Sequence, residues 1–398
     1  MQPAATSHHD ERWDRVLVGG GLQNALLTLA ILERRPDARL AVIERGARLG
    51  GNHRWSFHAA DVPPAARAVM ERLAEVQWPA YDVRFPGFAR TIGSAYASFD
   101  AHRLHEVVAA ALAAAPAACA LTERTAASID GTRVVLDGGR VLDATLVVDA
   151  RGPARYAPAG GAAVAGYQKF VGLELALARP HALERPCIMD ATVPQRDGFR
   201  FFYVLPLGPR RLLVEDTYFS ESPALDRPVV REEVIAYAME RGFDPTHVER
   251  EETGVLPLPA RLGSPPRGAS PLAAGYQGGW FHPTTGYSVP AAIRLAGLVA
   301  SLDEGGLASP RGQAAFRALV RAHRTQARFF TLLNRMLFGW FDGADRWRVL
   351  ERFHRLPEAT IGRFYAMATT PADRARIVCG RPPRGLSLAR AVAGGSPR

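Results

Sequence analysis

The sequence predicts an α/β protein with a parallel-sheet unit, an antiparallel-sheet unit and a helical C-terminal region. Three observations predict it. The apolar run Val16-Leu17-Val18 enters Gly19-Gly20-Gly21 and then residues 22–35, which carry Leu26, Leu27, Ala30 and Ile31 on one helical face. Leu40-Ala41-Val42-Ile43 follows and ends in Glu44, 23 residues after Gly21. Between 155 and 260 the pattern changes to short, loosely alternating runs with a turn at Leu207-Gly208-Pro209-Arg210.

Strand, glycine turn, helix and acidic strand end at these spacings form a Rossmann-type unit. Glycines without a Cβ let backbone N–H groups and a helix N-terminus approach a pyrophosphate, and the second strand presents a carboxylate to a ribose hydroxyl. Gly19, Gly20, Gly21, Leu22 and Glu44 are thus candidate contacts for an adenine dinucleotide. Asn24 stands where G-x-G-x-x-G has its third glycine. Gly50-Gly51-Asn52 offers a second close backbone approach, so Gly51 and Asn52 join the candidates. A helix is expected over 64–76, a strand over 91–99, and a helix over 102–114 capped by Asp100. Arg103, near that helix start, is either a phosphate contact or a solvated surface arginine. Residues 127–142 read as an antiparallel ribbon and 144–150 as a central parallel strand.

Gly160-Gly161 lacks a preceding strand, so no second nucleotide domain is expected. Strands over 170–177, 187–193, 199–206 and 211–219, with a helix over 231–241, form the antiparallel domain. Residues 273–281 return to the nucleotide domain, 288–302 form a helix, and 310–390 are mostly helical. The expected domains are 12–154 and 266–305 for the nucleotide, 155–265 for the substrate, and 306–398 for a helical, membrane-facing region.

Composition narrows the function classes. Hydrophobic residues make up 47% and charged residues 22%, which suits a globular chain and not a disordered one. The net charge is +10, and Lys169 is the only lysine among 49 basic residues. That arginine bias reflects either a GC-rich genome or attraction to an anionic membrane surface. No basic stripe with interleaved aromatics supports nucleic acid as a partner. Cys119, Cys187 and Cys379 are too scattered for a disulfide framework, and the histidines lack converging carboxylates, so no metal site is expected. No signal peptide is visible, and the longest apolar run, 107–121, is broken by Pro116 and too short to span a bilayer. A cytoplasmic protein is expected, with any membrane met from the inner face.

Four motifs occur in fixed order: Gly19-Gly20-Gly21-Leu22, Gly50-Gly51-Asn52-His53-Arg54-Trp55-Ser56-Phe57, Leu213-Val214-Glu215-Asp216-Thr217, and Phe281-His282-Pro283-Thr284-Thr285-Gly286-Tyr287-Ser288. Together with Leu333-Asn334-Arg335-Met336-Leu337-Phe338 they closely resemble the bacterial lycopene beta-cyclases, over nearly the whole chain. The resemblance implies a flavin hydroxylase-like FAD-binding fold and a reaction without net redox change. Each end of lycopene closes to a beta-ionone ring, giving gamma-carotene and then beta-carotene. It further implies reduced FAD, with NAD(P)H as electron source, and peripheral membrane association beside other carotenoid enzymes. An FAD-dependent hydroxylase, an isoprenoid reductase or a non-catalytic isoprenoid-escort protein are the competing readings.

Such a ring closure begins by protonating an unactivated C=C bond, which needs an acid shielded from water. A carboxyl in an apolar pocket stays protonated because desolvation raises its pKa. Glu215, ending the apolar run Leu212-Leu213-Val214, is the expected proton donor. Strand alternation turns Asp216 to the other face, as a hydrogen-bonding support. Phe201, Phe202, Tyr203, Tyr218, Phe219, Trp280 and Phe281 are candidates to stabilise a carbocation with their ring faces. Gly286 and Tyr287, at a helix start, suit the isoalloxazine ring. His282 is a flavin contact, a base or an ordinary loop histidine.

Overall fold

The computed structural model describes residues 11–152, 163–302, 306–379 and 384–386; Gly160-Gly161 lies outside them. β1 (Glu11–Val18) turns into α1 (Leu22–Arg34), and β2 (Leu40–Glu44) follows. Next come β3 (Arg54–His58), α2 (Arg67–Leu73), β4 (Val76–Trp78), β5 (Tyr81–Phe85), β6 (Phe88–Ile92) and β7 (Tyr96–Asp100). After α3 (Ala101–Ala113) the chain forms β8 (Ala118–Thr122), β9 (Ala126–Asp130), β10 (Arg133–Leu136) and β11 (Val141–Asp149). The second half runs through β12 (Ala163–Leu177), β13 (Cys187–Asp190), β14 (Phe199–Gly208), β15 (Arg211–Ser220), α4 (Arg227–Glu240) and β16 (Pro245–Arg261). It continues with β17 (Leu272–Ala273), α5 (Val289–Ser301), α6 (Pro310–Trp340), α7 (Arg346–His354), α8 (Glu358–Tyr365) and α9 (Pro371–Val378).

The first sheet has the order β8-β2-β1-β11-β10-β9. Its first four strands and β17 are parallel, while β10 and β9 form the antiparallel ribbon. Val16, Leu17 and Val18 are buried on both faces, as a central parallel strand requires. The turn after β1 depends on Gly19: its φ is +94°, and a Cβ there would lie 2.9 Å from the Ala150 carbonyl oxygen. Asn24 replaces the expected third glycine by a different device. Its fully buried amide donates to the carbonyls of Val18 (3.1 Å) and Gly19 (2.8 Å), clamping the turn from the helix side.

The second sheet has the order β16-β12-β15-β14-β13-β5-β6 and is antiparallel except between β13 and β5. Its last two strands come from residues 81–92, so the antiparallel layer draws on a segment expected to belong wholly to the nucleotide domain. A small sheet, β3-β7-β4, stands beside it. One face of the large sheet packs Val171, Leu173, Phe202 and Val214 under α4 residues Val230, Val234 and Tyr237. Lys169 points to this side, 2% exposed, ion-paired to Asp197 at 2.6 Å and donating to the carbonyls of Ser222 and Ala224. Helices α6 to α8 cover the other face through Phe330, Phe338, Phe353 and Phe364.

Several elements differ from expectation for identifiable reasons. The strand expected over 91–99 divides at Gly93 into β6 and β7, which join different sheets. The segment 273–281, expected to return to the nucleotide domain, adds β17 to the first sheet and then turns at Gly275 and Gly279, which take positive φ. β16 is a further strand of the antiparallel sheet, and its Pro257 and Pro259 are tolerated because it lies at the sheet edge. Asp100 caps α3 as expected, its Oδ1 accepting from the Arg103 N–H at 2.9 Å.

Candidate active site

A cavity of about 260 Å³ lies between the second sheet, β3 and the loop entering α5. On its sheet side, cross-strand register lines up Tyr203 (β14), Glu215 (β15), Gly172 (β12) and Glu252 (β16). Directly opposed residues share a face of the sheet, so all four belong to one row. Phe201, Leu213, Phe219, Phe170, Ile188 and Leu256 supply the apolar lining, and Ser56, His58, Tyr96 and Tyr287 close the opposite side.

Glu215 has one hydrogen-bond partner among the described residues: the Thr217 hydroxyl donates to its Oε1 at 2.6 Å. Burial pushes its carboxyl up to about 8, and the charges of Glu252 and Asp216 add to this against the Thr217 bond. This favours the protonated acid at neutral pH. Asp216 turns to the α4 face. There it is fully buried, and Arg200 donates to both of its oxygens (2.9 and 2.7 Å) while Tyr218 donates to Oδ2 at 2.8 Å. It does not line the cavity.

Opposite Glu215 runs a chain of hydroxyls. Tyr96 and Tyr203 share a hydrogen bond of 2.9 Å, Tyr203 donates to Ser56 at 2.8 Å, and Ser56 donates to Ser98 at 3.1 Å. The His58 ring sits among Tyr81, Tyr96, Tyr287 and Tyr365, with centroids 4.9–6.0 Å away. Burial holds His58 down to about 4, so it is neutral and adds aromatic surface without positive charge. Of the seven aromatics singled out from the sequence, Phe201, Tyr203 and Phe219 line the cavity. Phe202 and Tyr218 face α4 around Arg200, Trp280 packs on Phe316, and Phe281 stacks on Tyr276.

The nucleotide crevice brings Gly19, Gly20, Gly21, Leu22 and Glu44 together. Glu44 accepts from the N–H groups of Gly20 (2.7 Å) and Gly46 (2.8 Å), which fixes its carboxylate at the mouth of the turn. Gly21 faces open space, and no side chain caps α1, leaving its first N–H groups directed at the crevice. The amide oxygens of Gln23 and Asn24 on α1 and of Gln168 on the cavity wall are buried without a hydrogen-bond partner. Gln168 Oε1 lies 3.7 Å from where a Gly286 Cβ would be; Gly286 itself has φ +68°. An FAD fits these features: a pyrophosphate at the uncapped α1, a ribose at Glu44, and an isoalloxazine ring by Gly286.

The remaining candidates take varied places. Tyr287 lines the cavity, and its hydroxyl donates to Asp61 at 3.0 Å while accepting from the His58 N–H at 3.2 Å. Burial pushes Asp61 up to about 6. Gly51 has φ +65°, and Asn52 donates to the Glu251 carbonyl at 2.7 Å. Arg103 directs two of its nitrogens to the Arg72 carbonyl and a third to Glu106. His282 is fully buried outside the cavity: its Nδ1 accepts from the Thr284 N–H, so its Nε2 donates to the Phe364 carbonyl at 3.1 Å. Burial pulls it down to about 3. Sequence reasoning did not single out Ser56, His58, Tyr96, Gln168 or Glu252. Alternation over 54–58 was a usable signal for Ser56 and His58; for Glu252 none existed without the strand register.

A second cleft, about 450 Å³, opens on the α4 side of the sheet. Its Arg84, Arg179, Arg185 and Arg241 each lie within 4 Å of a carboxylate.

The lycopene cyclase protein family matches residues 14–391 of the chain. A lycopene beta-cyclase of Pantoea ananas is 39% identical over 93% of this chain and 95% of its own. A lycopene beta-cyclase of a Paracoccus strain is 37% identical over 94% and 96%. In fold, the chain is similar to a geranylgeranyl bacteriochlorophyll reductase-like protein from Thermoplasma acidophilum, with a TM-score of 0.62, 11% identity, and 92% and 96% of the two chains covered. It is also similar to the flavin-dependent brominase Bmp2, with a TM-score of 0.60, 12% identity, and 89% and 94% covered.

Proposed function

Since the chain belongs to the lycopene cyclase family, we propose that it is a lycopene beta-cyclase, closing the ends of lycopene into beta-ionone rings by acid catalysis. The observation that carries the mechanism is Glu215, a half-buried carboxyl that lines the cavity without a cationic partner among the described residues. Its proton goes to the terminal C=C bond of an end group held in the cavity, leaving a tertiary cation. A neighbouring double bond attacks that cation, and loss of a C–H proton completes the ring. Phe201, Phe219 and the tyrosines around neutral His58 offer the cation aromatic ring surfaces. Asp216 positions Glu215 indirectly, by anchoring β15 to Arg200 on β14.

Gly19 to Leu22, Glu44 and the Gly286 turn would hold FAD, whose reduced form would supply negative charge to the site, with NAD(P)H as the electron source. Membrane contact falls to α6. Its exposed Arg317, Arg321, Arg328 and Arg335 repeat at intervals that return to one helical face, and the helix contains no acidic residue. No described helix is long and apolar enough to cross a membrane, so an association at the cytoplasmic surface fits the arginine face.

Expression in a lycopene-accumulating bacterium, with pigment chromatography and mass analysis, tests the reading. The expected product has the mass of lycopene and two beta-rings. A product heavier by oxygen or by added hydrogens would identify a hydroxylase or reductase instead.

A further inference from the structure

The cyclase reading names the acid but leaves open which group takes the proton that leaves the ring. We propose, resting on that reading, that Glu252 receives it, so that Glu215 and Glu252 act as an acid–base pair across Gly172.

Register places the two carboxylates. Gly172 on β12 is directly opposite Glu215 on one side and Glu252 on the other. Neighbouring strands lie ~4.8 Å apart, so the two glutamate Cα atoms are separated by roughly 9–10 Å on one face of the sheet. Both line the same cavity. Gly172 gives the Glu215 side chain room to lean over it toward the Glu252 strand: a Cβ at 172 would sit 3.3 Å from Glu215 Oε2.

The hydrogen-bonding of the pair is asymmetric in the direction the reaction needs. Glu215 receives a single hydroxyl. Glu252 accepts from the Arg54 N–H at 3.0 Å, contacts His53 Nδ1 at 2.9 Å, and has the Arg250 guanidinium at 3.9 Å. These donors suit a carboxylate that accepts a proton and then releases it. The His53 side chain is 58% exposed, which connects Glu252 to water. Other cavity groups serve less well as a base. Asp61 sits behind the Tyr287 hydroxyl, and the tyrosines would have to become cations to take a proton. His58 is buried among rings, and desolvation opposes its protonation.

The step balances. The Glu215 O–H bond breaks as a C–H bond forms on the end group, leaving a cation and the Glu215 carboxylate. The attacking double bond forms the ring C–C bond and moves the positive charge to a ring carbon. The C–H bond on the adjacent carbon then breaks, its electron pair becomes the ring C=C bond, and its proton bonds to a Glu252 oxygen. Release through His53 and re-protonation of Glu215 restore the start, with no oxidant or reductant consumed.

The test is the isomer composition of the pigment in lycopene-accumulating bacteria carrying wild type, Glu252→Gln or Glu252→Asp. Glu252→Gln should lower beta-ring product at least tenfold and divert the remainder to rings with the double bond displaced, or to hydrated rings, because the cation then loses its proton elsewhere or captures water. Glu252→Asp, which keeps the carboxylate at shorter reach, should retain mostly beta-rings, and it carries the test if the Gln variant fails to accumulate. Wild-type amounts of pure beta-ring product from Glu252→Gln would overturn the proposal. So would equal losses in both variants with an unchanged isomer ratio, which marks a structural role. Lycopene left untouched by wild type would overturn the cyclase reading and this step with it. Cyclisation by Glu215→Gln would overturn the acid assignment alone.

Discussion

Glu215 and Asp216 are neighbours in the chain, yet the two faces of the antiparallel sheet make them chemically unlike. On the α4 face, carboxylates are matched: Asp216 to Arg200 and Tyr218, Asp190 to Tyr237 and Arg241, Asp197 to Lys169. On the cavity face, Glu215 meets a threonine hydroxyl and hydrocarbon. The difference teaches that the role of a buried carboxyl is set by what the opposite strands and helices bring to it. Paired with a guanidinium it holds strands together, and left with hydrocarbon it keeps its proton.

The contrast can be broken from either side. Glu215→Gln should reduce cyclisation by about 10²–10⁴-fold, the range general acid catalysis commands, while the unfolding midpoint stays near wild type; pigment yield and a denaturant melt give the two readings. Asp216→Asn should do the reverse. Removing one partner of a buried ion pair costs about 3–5 kcal/mol, so its unfolding midpoint should fall sharply, with activity lost in proportion to folded protein. If Asp216→Asn instead folds normally and is inactive, the division of labour between the two faces is wrong.

Gly172→Ala sharpens the comparison within the cavity face. The new methyl meets Glu215 atoms at 3.3–3.5 Å, so the carboxyl must shift by a few tenths of an ångström. About a tenfold loss of activity with little change in stability is expected. The smallest effect is on pH. Because burial raises Glu215 to about 8, the donor form persists below that value and is lost above it. The rate should be level from pH 6 to 7.5 and fall roughly tenfold per unit once pH passes 8. The charge of Glu252 contributes to the raised value, so Glu252→Gln should move this limb to lower pH.

Much of the fold is legible locally. The glycine turn, the Asp100 cap and the hairpin around Gly208 each depend on residues within a few positions of one another, and each forms where the sequence placed it. The alternation that separates Glu215 from Asp216 is equally local. What escapes is whatever depends on register between distant strands. Glu252 lines the cavity because β16 pairs with β12 some eighty residues earlier in the chain. The tyrosine hydroxyl chain joins Tyr96 to Tyr203, and the β13–β5 pairing brings residues 82–84 beside 187–190. No periodicity in either segment announces such partners. His282 shows the opposite error source: a residue in a distinctive motif need not face the chemistry, and here both ring nitrogens serve the backbone.

Lys169 carries a practical consequence. It is the sole lysine, and the fold encloses its ammonium against Asp197 and two carbonyls. The folded protein therefore offers acylating reagents no exposed side-chain amine. Each acylation event at that position records the release of Asp197 and the 222–224 segment from β12. A single mass shift on one peptide thus becomes a clock for how often that face of the sheet is uncovered, read without any substitution.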